Sequence, residues 1–161
     1  MRDYNEIITD LDAWESHNGF HIGADGWLQG SGSFNLAVAF TSLFWPEFTV
    51  HEDSVFHGPF SELDERNFDS FSKKSGDDPT PTEVAMNHRH IVDLFPNEDG
   101  MPTRDQVLFL GRILKEMWTA KLKLDFPDRR FVVSFPEDYT EDLVDYEITF
   151  WEERDLSNDS G

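Results

Sequence analysis

The chain has 161 residues, and its 33 Asp and Glu against 13 Lys and Arg give a formal charge of −20 at pH 7. Such a charge repels nucleic-acid phosphates and anionic membranes, so we expect neither as a partner. The sequence has no cysteine, which excludes disulfides, thiolate metal sites and a cysteine nucleophile. Its 15 Phe and 5 Trp supply the apolar area that one packed core requires.

The N-terminal part of the chain shows helical spacing on either side of a glycine-dense segment. We predict a first helix over residues 3–19, then a loop over residues 19–32 that at most contains a short strand. A second helix is predicted to begin at Ser33 or Asn35 and to end just before Pro46. Because residues 26–46 carry no charge in a chain that is 29% charged, we expect this segment to lie in the core.

The middle of the chain mixes strand composition with two helix-start signals. Residues 48–56 are predicted to form one strand and residues 59–71 a short helix, followed by an exposed loop. The run Thr80-Pro81-Thr82-Glu83 is read as a capping box that opens a helix reaching residue 95. A second capping box, from Thr103 to Gln106, opens the longest predicted helix, which ends near Leu124.

The C-terminal part reads as a hairpin. Residues 130–135 and 144–151 have strand composition, and alternation in the second strand predicts that Val144, Tyr146, Ile148 and Phe150 are buried. The predicted fold class is therefore α+β, with a small antiparallel sheet of about three strands packed against four to five helices. Residues 1–154 are expected to form a single domain, and residues 155–161 a frayed polar tail.

The residues best suited to bind a metal ion are histidines, but their spacing in the sequence argues against a shared site. His88 and His90 lie two apart on a predicted helix, where side chains point about 200° away from one another, so they cannot bind one ion together. His51, His57 and His88 could meet only through the tertiary fold. They remain a weak alternative metal site, and we expect no cofactor.

No nucleophile elbow or calcium loop is present, and Gly30-Ser31-Gly32-Ser33-Phe34-Asn35 lacks the third glycine of a dinucleotide fingerprint. We therefore do not expect an enzyme. The alternative is an enzyme or a small-molecule or metal-binding protein with its site near the glycine-rich loop, with His21, His57 or His88 contributing.

Charge is distributed unevenly: from Glu137 onward there are ten acidic residues and one basic residue, Arg154. This pattern favours an acidic binding or inhibitory protein, immunity-like or antitoxin-like, that engages a basic protein partner. Aromatic anchors for such a partner would include Tyr146. The predicted acidic and aromatic face consists of Tyr139, Glu141, Asp142, Asp145, Glu147, Trp151 and Glu153.

Two further expectations concern location and assembly. No apolar signal core follows the N-terminus, and no stretch has the roughly 20 apolar residues that span a bilayer, so a soluble cytoplasmic protein is expected. A third functional class, a structural subunit of a larger assembly, would require a large apolar surface patch. The sequence leaves the oligomeric state open.

Overall fold

A computed structural model describes Tyr4 and residues 6–96, 100–138 and 140–154. Over these residues the chain forms six α-helices: α1 Thr9–Asn18, α2 Gly23–Ser31, α3 Phe34–Phe44, α4 Glu62–Ser75, α5 Thr80–Asn87 and α6 Arg104–Asp125. It also forms five strands: β1 Phe48–His51, β2 Ser54–His57, β3 Arg89–His90, β4 Phe131–Ser134 and β5 Glu147–Glu152. Short 3₁₀-helices cover Ile91–Leu94 and Leu143–Asp145.

The strands form two small antiparallel sheets, one of β1 and β2 and the other in the order β3-β5-β4. The predicted α+β class is confirmed, as is the C-terminal hairpin, in which Val133 pairs with Phe150. Tyr146, Ile148 and Phe150 are fully buried, as the alternation predicts. Val144 is exposed because it lies in the 3₁₀-helix and β5 begins only at Glu147.

Helix α6 is the centre of the core. Its predicted capping box is confirmed, because the Thr103 side chain accepts from the Gln106 amide and the Gln106 side chain accepts from the Thr103 amide. Its buried positions lie at helical spacing and pack against the inner face of the three-stranded sheet. The Trp118 indole donates to the Leu43 carbonyl at 2.8 Å and so ties the end of α3 to α6. The buried apolar positions of α6 are Val107, Leu114, Trp118 and Leu122.

The glycine-dense segment forms a helix, α2, where the sequence predicts a loop. The Glu15 carboxylate on α1 accepts from the backbone amides of Ile22 and Gly23 at 2.8 and 2.9 Å, where α2 begins. A negative group at a helix N-terminus is favourable. Those hydrogen bonds hold the pKa of Glu15 below its ordinary value, against the opposing effect of desolvation. A cap from another helix is not visible in local sequence. Gly19, with φ +74°, ends α1 as predicted.

Two predicted elements break at turns. Residues 48–56 form two strands, because Glu52 and Asp53 adopt positive φ angles of 45° and 65° and close a tight hairpin. The predicted helix to residue 95 ends at Asn87, and Arg89 and His90 instead pair with Ile148 and Glu147 of β5. Sheet pairing overrides helical periodicity at this point.

The prediction that residues 26–46 lie in the core is wrong for most of the segment. Every residue from 28 to 42 is exposed, and only the C-terminal end of α3, through Leu43 and Phe44, packs against the core. The sequence shows that this helix is apolar, but it does not show whether another part of the chain packs against the apolar side chains. The exposed large apolar side chains of α2, α3 and the following residue are Leu28, Phe34, Leu36, Val38, Phe40 and Trp45.

Helix α5 joins the two sheets through a buried amide. The side chain of Asn87 accepts from the His57 amide of β2 at 3.0 Å and donates to the Val55 carbonyl at 2.9 Å. The same amide also donates to the Phe150 carbonyl of β5 at 3.2 Å. Asn87 therefore satisfies backbone groups on the facing edges of both sheets, as an intervening strand would.

One turn earlier on α5, Glu83 makes the second connection, and the structure overturns its predicted role in a capping box. Its side chain is 0% exposed and turns inward, away from the helix N-terminus. The carboxylate accepts from the backbone amides of Glu152 at 2.9 Å and Val55 at 3.4 Å. Arg154 completes the arrangement with two hydrogen bonds to Glu83, at 2.8 and 2.9 Å. We call this pair the Glu83–Arg154 clasp.

Candidate functional site

The acidic C-terminal segment forms an "acidic loop", residues 137–147, which follows β4 and includes the first residue of β5. Its acidic side chains at 137, 138, 141, 142, 145 and 147 are all exposed. The 3₁₀-helix Leu143–Asp145 gives the loop a regular centre, and Asp142 caps this helix by accepting from the Val144 amide at 3.1 Å. The sequence predicts only a turn over most of this region.

A buried tyrosine holds the loop to the core. The Tyr146 ring is 0% exposed, so it cannot be the surface anchor that the sequence suggests. Its hydroxyl donates to the Asp138 carbonyl at 3.4 Å and accepts from the Thr140 amide at 3.3 Å. Tyr146 therefore fixes the backbone on either side of residue 139, and the alternation of β5 is the sequence signal for its burial.

The basic residues of α6 hold the loop mainly by its backbone. Arg104 and Arg112 donate to the carbonyls of Glu141 and Glu137, each at 3.5 Å. Lys115 is the exception, because it pairs with the Glu137 carboxylate at 2.7 Å. That hydrogen bond holds the pKa of Glu137 below its ordinary value. These cations therefore position the loop and neutralise only one of its carboxylates directly.

Four loop carboxylates keep their charge available. Within residues 4, 6–96, 100–138 and 140–154, no cation forms an ion pair with Asp138, Glu141, Asp142 or Asp145. Glu147, at the start of β5, lies 3.3 Å from the His90 ring nitrogen. Four exposed, unneutralised carboxylates in one loop create a negative potential that attracts a cationic group.

The predicted acidic face divides between two places. Glu141, Asp142, Asp145 and Glu147 lie together in the acidic loop. Trp151 and Glu153 lie toward the other end of β5, about 13 and 20 Å from Glu147 along an extended strand. Trp151 is half-buried opposite Val132, and Glu153 lies 4.0 Å from Arg130. Tyr139 lies outside the described residues.

The histidines of the weak metal alternative occupy separate surroundings. His51 stacks on Phe60 with ring centroids 4.4 Å apart, at the opposite end of the β1–β2 hairpin from His57. The Nδ1 atom of His88 forms a hydrogen bond with the Ala85 carbonyl at 2.6 Å. The ring centroids of His88 and His90 lie 5.5 Å apart, because His90 belongs to a strand and not to the predicted helix that would point the two rings in opposite directions. In the described part of the chain, no three His, Asp or Glu side chains form a group that could hold a metal ion.

His57 is the histidine most changed by folding. Its ring lies 4.7 Å from the Trp118 ring, and its Nε2 atom is buried without a hydrogen-bond partner among the described residues. Burial first, and the charge of Arg89 second, lower the pKa of His57 from 6.5 to about 4. The ring is therefore neutral at physiological pH. His21, the other histidine of the small-molecule alternative, bonds the Glu15 carboxylate at 2.7 Å.

A separate cleft of about 710 Å³ lies between the N-terminal segment, α2, the first 3₁₀-helix and the first half of α6. Trp27, from the glycine-dense segment, forms part of its wall. The volume falls within the range of small-molecule pockets, and the lining combines apolar and aromatic side chains with the polar side chains of Thr9, Asp10, Thr103 and Gln106. The cleft is lined by Tyr4, Ile7, Ile8, Thr9, Asp10, Trp27, Ile91, Val92, Phe95, Met101, Pro102, Thr103, Gln106, Val107, Phe109 and Leu110.

Comparison of the chain with protein-family models, with curated proteins and with solved structures finds no match in any of the three. Within the described residues, no helix has both the length and the apolarity needed to cross a membrane. Function must therefore be inferred from the geometry of the molecule itself.

Proposed function

We propose that this protein is a non-catalytic binding protein whose acidic loop engages a basic protein. An immunity protein or an antitoxin that covers a cationic surface is the type of inhibitor we have in mind. The observation that carries the proposal is the set of exposed carboxylates of Glu141, Asp142 and Asp145, which have no cation partner among the described residues. Charge complementarity of this kind accelerates encounter and selects partners of opposite charge.

The way the loop is held also supports this function. Hydrogen bonds from Tyr146 and from Arg104 and Arg112 fix the loop backbone. A loop that is already ordered loses less conformational entropy when a partner binds. Because the supporting arginines contact carbonyl oxygens, they hold the loop without forming ion pairs with the carboxylates that would meet the partner.

The test compares two variants with the same net charge. Glu141→Gln with Asp145→Asn removes two charges from the acidic loop and leaves the Asp142 cap intact. Glu65→Gln with Asp69→Asn removes the same two groups from exposed positions on α4. Immobilised wild-type protein is used at low salt to capture partners from a lysate of the source cells. Each recovered protein is then purified and its affinity for all three chains is measured by calorimetry.

Support requires a basic partner whose affinity falls at least tenfold for the loop variant and less than twofold for the α4 variant. Raising the salt concentration from about 50 to about 500 mM should weaken binding, because exposed charges are screened within about 4 Å at the higher concentration. Equal losses for the two variants, or binding that is indifferent to salt, would show that the acidic loop is not the binding surface.

The cleft favours a second candidate, a protein that binds a small molecule with a large apolar part. Its volume of about 710 Å³ and the apolar and aromatic side chains in its lining are the observations in favour, and Trp27 places it beside the glycine-rich segment. Titration with the neutral dye Nile red tests this candidate. Val92→Trp, which fills part of the cleft, should weaken dye binding about tenfold, whereas Phe34→Glu, at an exposed position of α3 outside the cleft, should not. The reverse pattern would reject the cleft as the site.

A further inference from the structure

Among the described residues that line the cleft, Asp10 is the one charged side chain. It lies in the first turn of α1 and is exposed. No hydrogen bond or ion pair joins its carboxylate to any other residue that the structure describes. A ligand in the cleft would therefore meet a carboxylate whose charge no described side chain neutralises.

The elements that form the cleft offer a ligand no basic group in their described part. No Lys or Arg occurs from residue 3 to residue 65, so α1 and α2 contribute none. On α6, Arg104 and Arg112 donate to the carbonyls of Glu141 and Glu137 in the acidic loop, and neither arginine lines the cleft. The lining therefore presents a single sign of charge.

Further acids surround the lining. The N-terminal segment, α1, α2, the first 3₁₀-helix and α6 each carry an exposed acid within two positions of a lining residue. A cleft surrounded by charges of one sign focuses their field, and acids attract a cation into it. These acids are Glu6, Asp12, Asp25, Asp93 and Asp105.

Aromatic rings supply a second feature that suits a cation. Tyr4, Trp27, Phe95 and Phe109 all contribute to the lining, and the rings of Tyr4 and Phe109 meet edge to face with centroids 5.8 Å apart. The face of an aromatic ring attracts a positive charge and also packs against hydrocarbon. The same walls can therefore contact both the apolar part and the charged part of one molecule.

Two helices begin at the cleft, and the positive ends of their dipoles already have partners. On α6 the Thr103 hydroxyl accepts from the Gln106 amide at 3.2 Å, as part of the capping box. On α1 the first turn contains both Asp10 and Asp12, and negative side chains at this position balance the helix dipole. The helix ends therefore do not turn the cleft into a site for anions.

We propose that the cleft binds an amphipathic organic cation, a molecule with an apolar body and an ammonium group that pairs with Asp10. This inference rests on the second candidate function, a small-molecule site in the cleft, and specifies the charge of the ligand. A carboxylate ligand would place a second negative charge beside Asp10, and a neutral ligand would leave Asp10 without a counter-charge. Only a cation gains a charge-assisted hydrogen bond there.

Three probes that share one apolar body test the charge of the ligand: 6-phenylhexylamine, 6-phenylhexanol and 6-phenylhexanoate. Each competes with Nile red for the full chain at pH 7, where the amine is a cation and the acid an anion. Salt at about 150 mM screens the net charge of −20 beyond about 8 Å, so that groups close to the probe dominate. The amine should bind at least tenfold more tightly than the alcohol, and the acid more weakly than the alcohol.

A pair of variants locates the charge that the amine recognises. Asp10→Asn should weaken amine binding about tenfold and change alcohol binding less than twofold. Asp12→Asn is the matched control, because it removes the same charge from the same helical turn and Asp12 does not line the cleft. Its affinities for both probes should stay within about twofold of wild type. Both positions are exposed, so neither variant should lose its fold, and circular dichroism verifies this.

The failure of the site and the failure of the cationic ligand give different results. If Nile red and the alcohol do not bind, or if Val92→Trp leaves their binding unchanged, the cleft is not a ligand site and the inference falls with the candidate function. If the alcohol binds in the cleft as tightly as the amine, or if Asp10→Asn and Asp12→Asn weaken the amine equally, the small-molecule site stands and the cationic ligand is rejected.

Discussion

The Glu83–Arg154 clasp should contribute more to stability than any surface ion pair of this protein. Replacing Arg154 with Met removes two charged hydrogen bonds, at 2.8 and 2.9 Å, from a carboxylate that is 0% exposed. Hydrogen bonds to charged groups contribute about 1.5–3 kcal/mol each, and removing one partner of a buried pair costs about 3–5 kcal/mol. The amides of Val55 and Glu152 still contact Glu83. We therefore expect a loss of about 3 kcal/mol.

The loss is measured by urea unfolding at pH 7, with the fluorescence of buried Trp118 as the signal. With an m-value of about 2 kcal/mol per molar urea, the midpoint should fall by about 1.5 M. Arg130→Met is the matched control, because its pair with Glu153 spans 4.0 Å and both side chains are more than half exposed. That variant should lose less than about 0.5 kcal/mol. If the two variants lose the same amount, the clasp has no special role in stability.

Two further expectations concern buried positions. His57 has a pKa of 6.5 in the unfolded chain and about 4 in the folded protein, so lowering the pH between these values favours unfolding of the wild type. The stability of His57→Leu relative to wild type should therefore be about 2 kcal/mol higher at pH 5 than at pH 8. Parallel curves of stability against pH for the two proteins would contradict this. Gly111→Ala should cost about 1–3 kcal/mol, since its Cβ would lie 2.1 Å from the Phe135 ring, whereas Gly30→Ala, with open space around it, should gain up to about 1 kcal/mol. Thermal unfolding that ranks these alanine variants in the opposite order would refute the packing argument.

Elements whose signals are local could be predicted from the sequence. The capping box at Thr103 and the long apolar stripe that follows it locate α6 to within a residue or two. Ser33 caps α3, and strict alternation in β5 identifies Tyr146, Ile148 and Phe150 as buried. In each case the stabilising partner lies within a few residues, or the periodicity itself determines which face is buried.

Elements that depend on distant partners could not be predicted. Glu83 has the sequence of a capping residue, and only Arg154, 71 positions later, explains why it turns inward. The helix after Thr80 stops at Asn87 because β5 supplies a strand partner for Arg89. The absence of charge in residues 26–46 predicts that they lie in the core, but burial depends on a covering surface that composition does not reveal.

The candidate site shows the same division. Negative charge near the C-terminus is visible in the sequence, and so is the loop that carries Glu141, Asp142 and Asp145. That Trp151 and Glu153 lie elsewhere follows from the extended geometry of β5, which separates them from the loop. The support from Arg104 and Arg112 on α6 requires a tertiary contact and has no local signal.

The clasp also bears on the order in which the protein acquires its structure during translation. Glu83 leaves the ribosome 71 residues before Arg154, an interval of about 4–14 s at cellular synthesis rates. Throughout that interval the nascent chain contains Glu83, which is buried in the folded protein, but not yet Arg154, whose positive charge balances it. Residues up to α6 therefore cannot reach their final packing as they emerge, and the last step of maturation awaits the end of the hairpin.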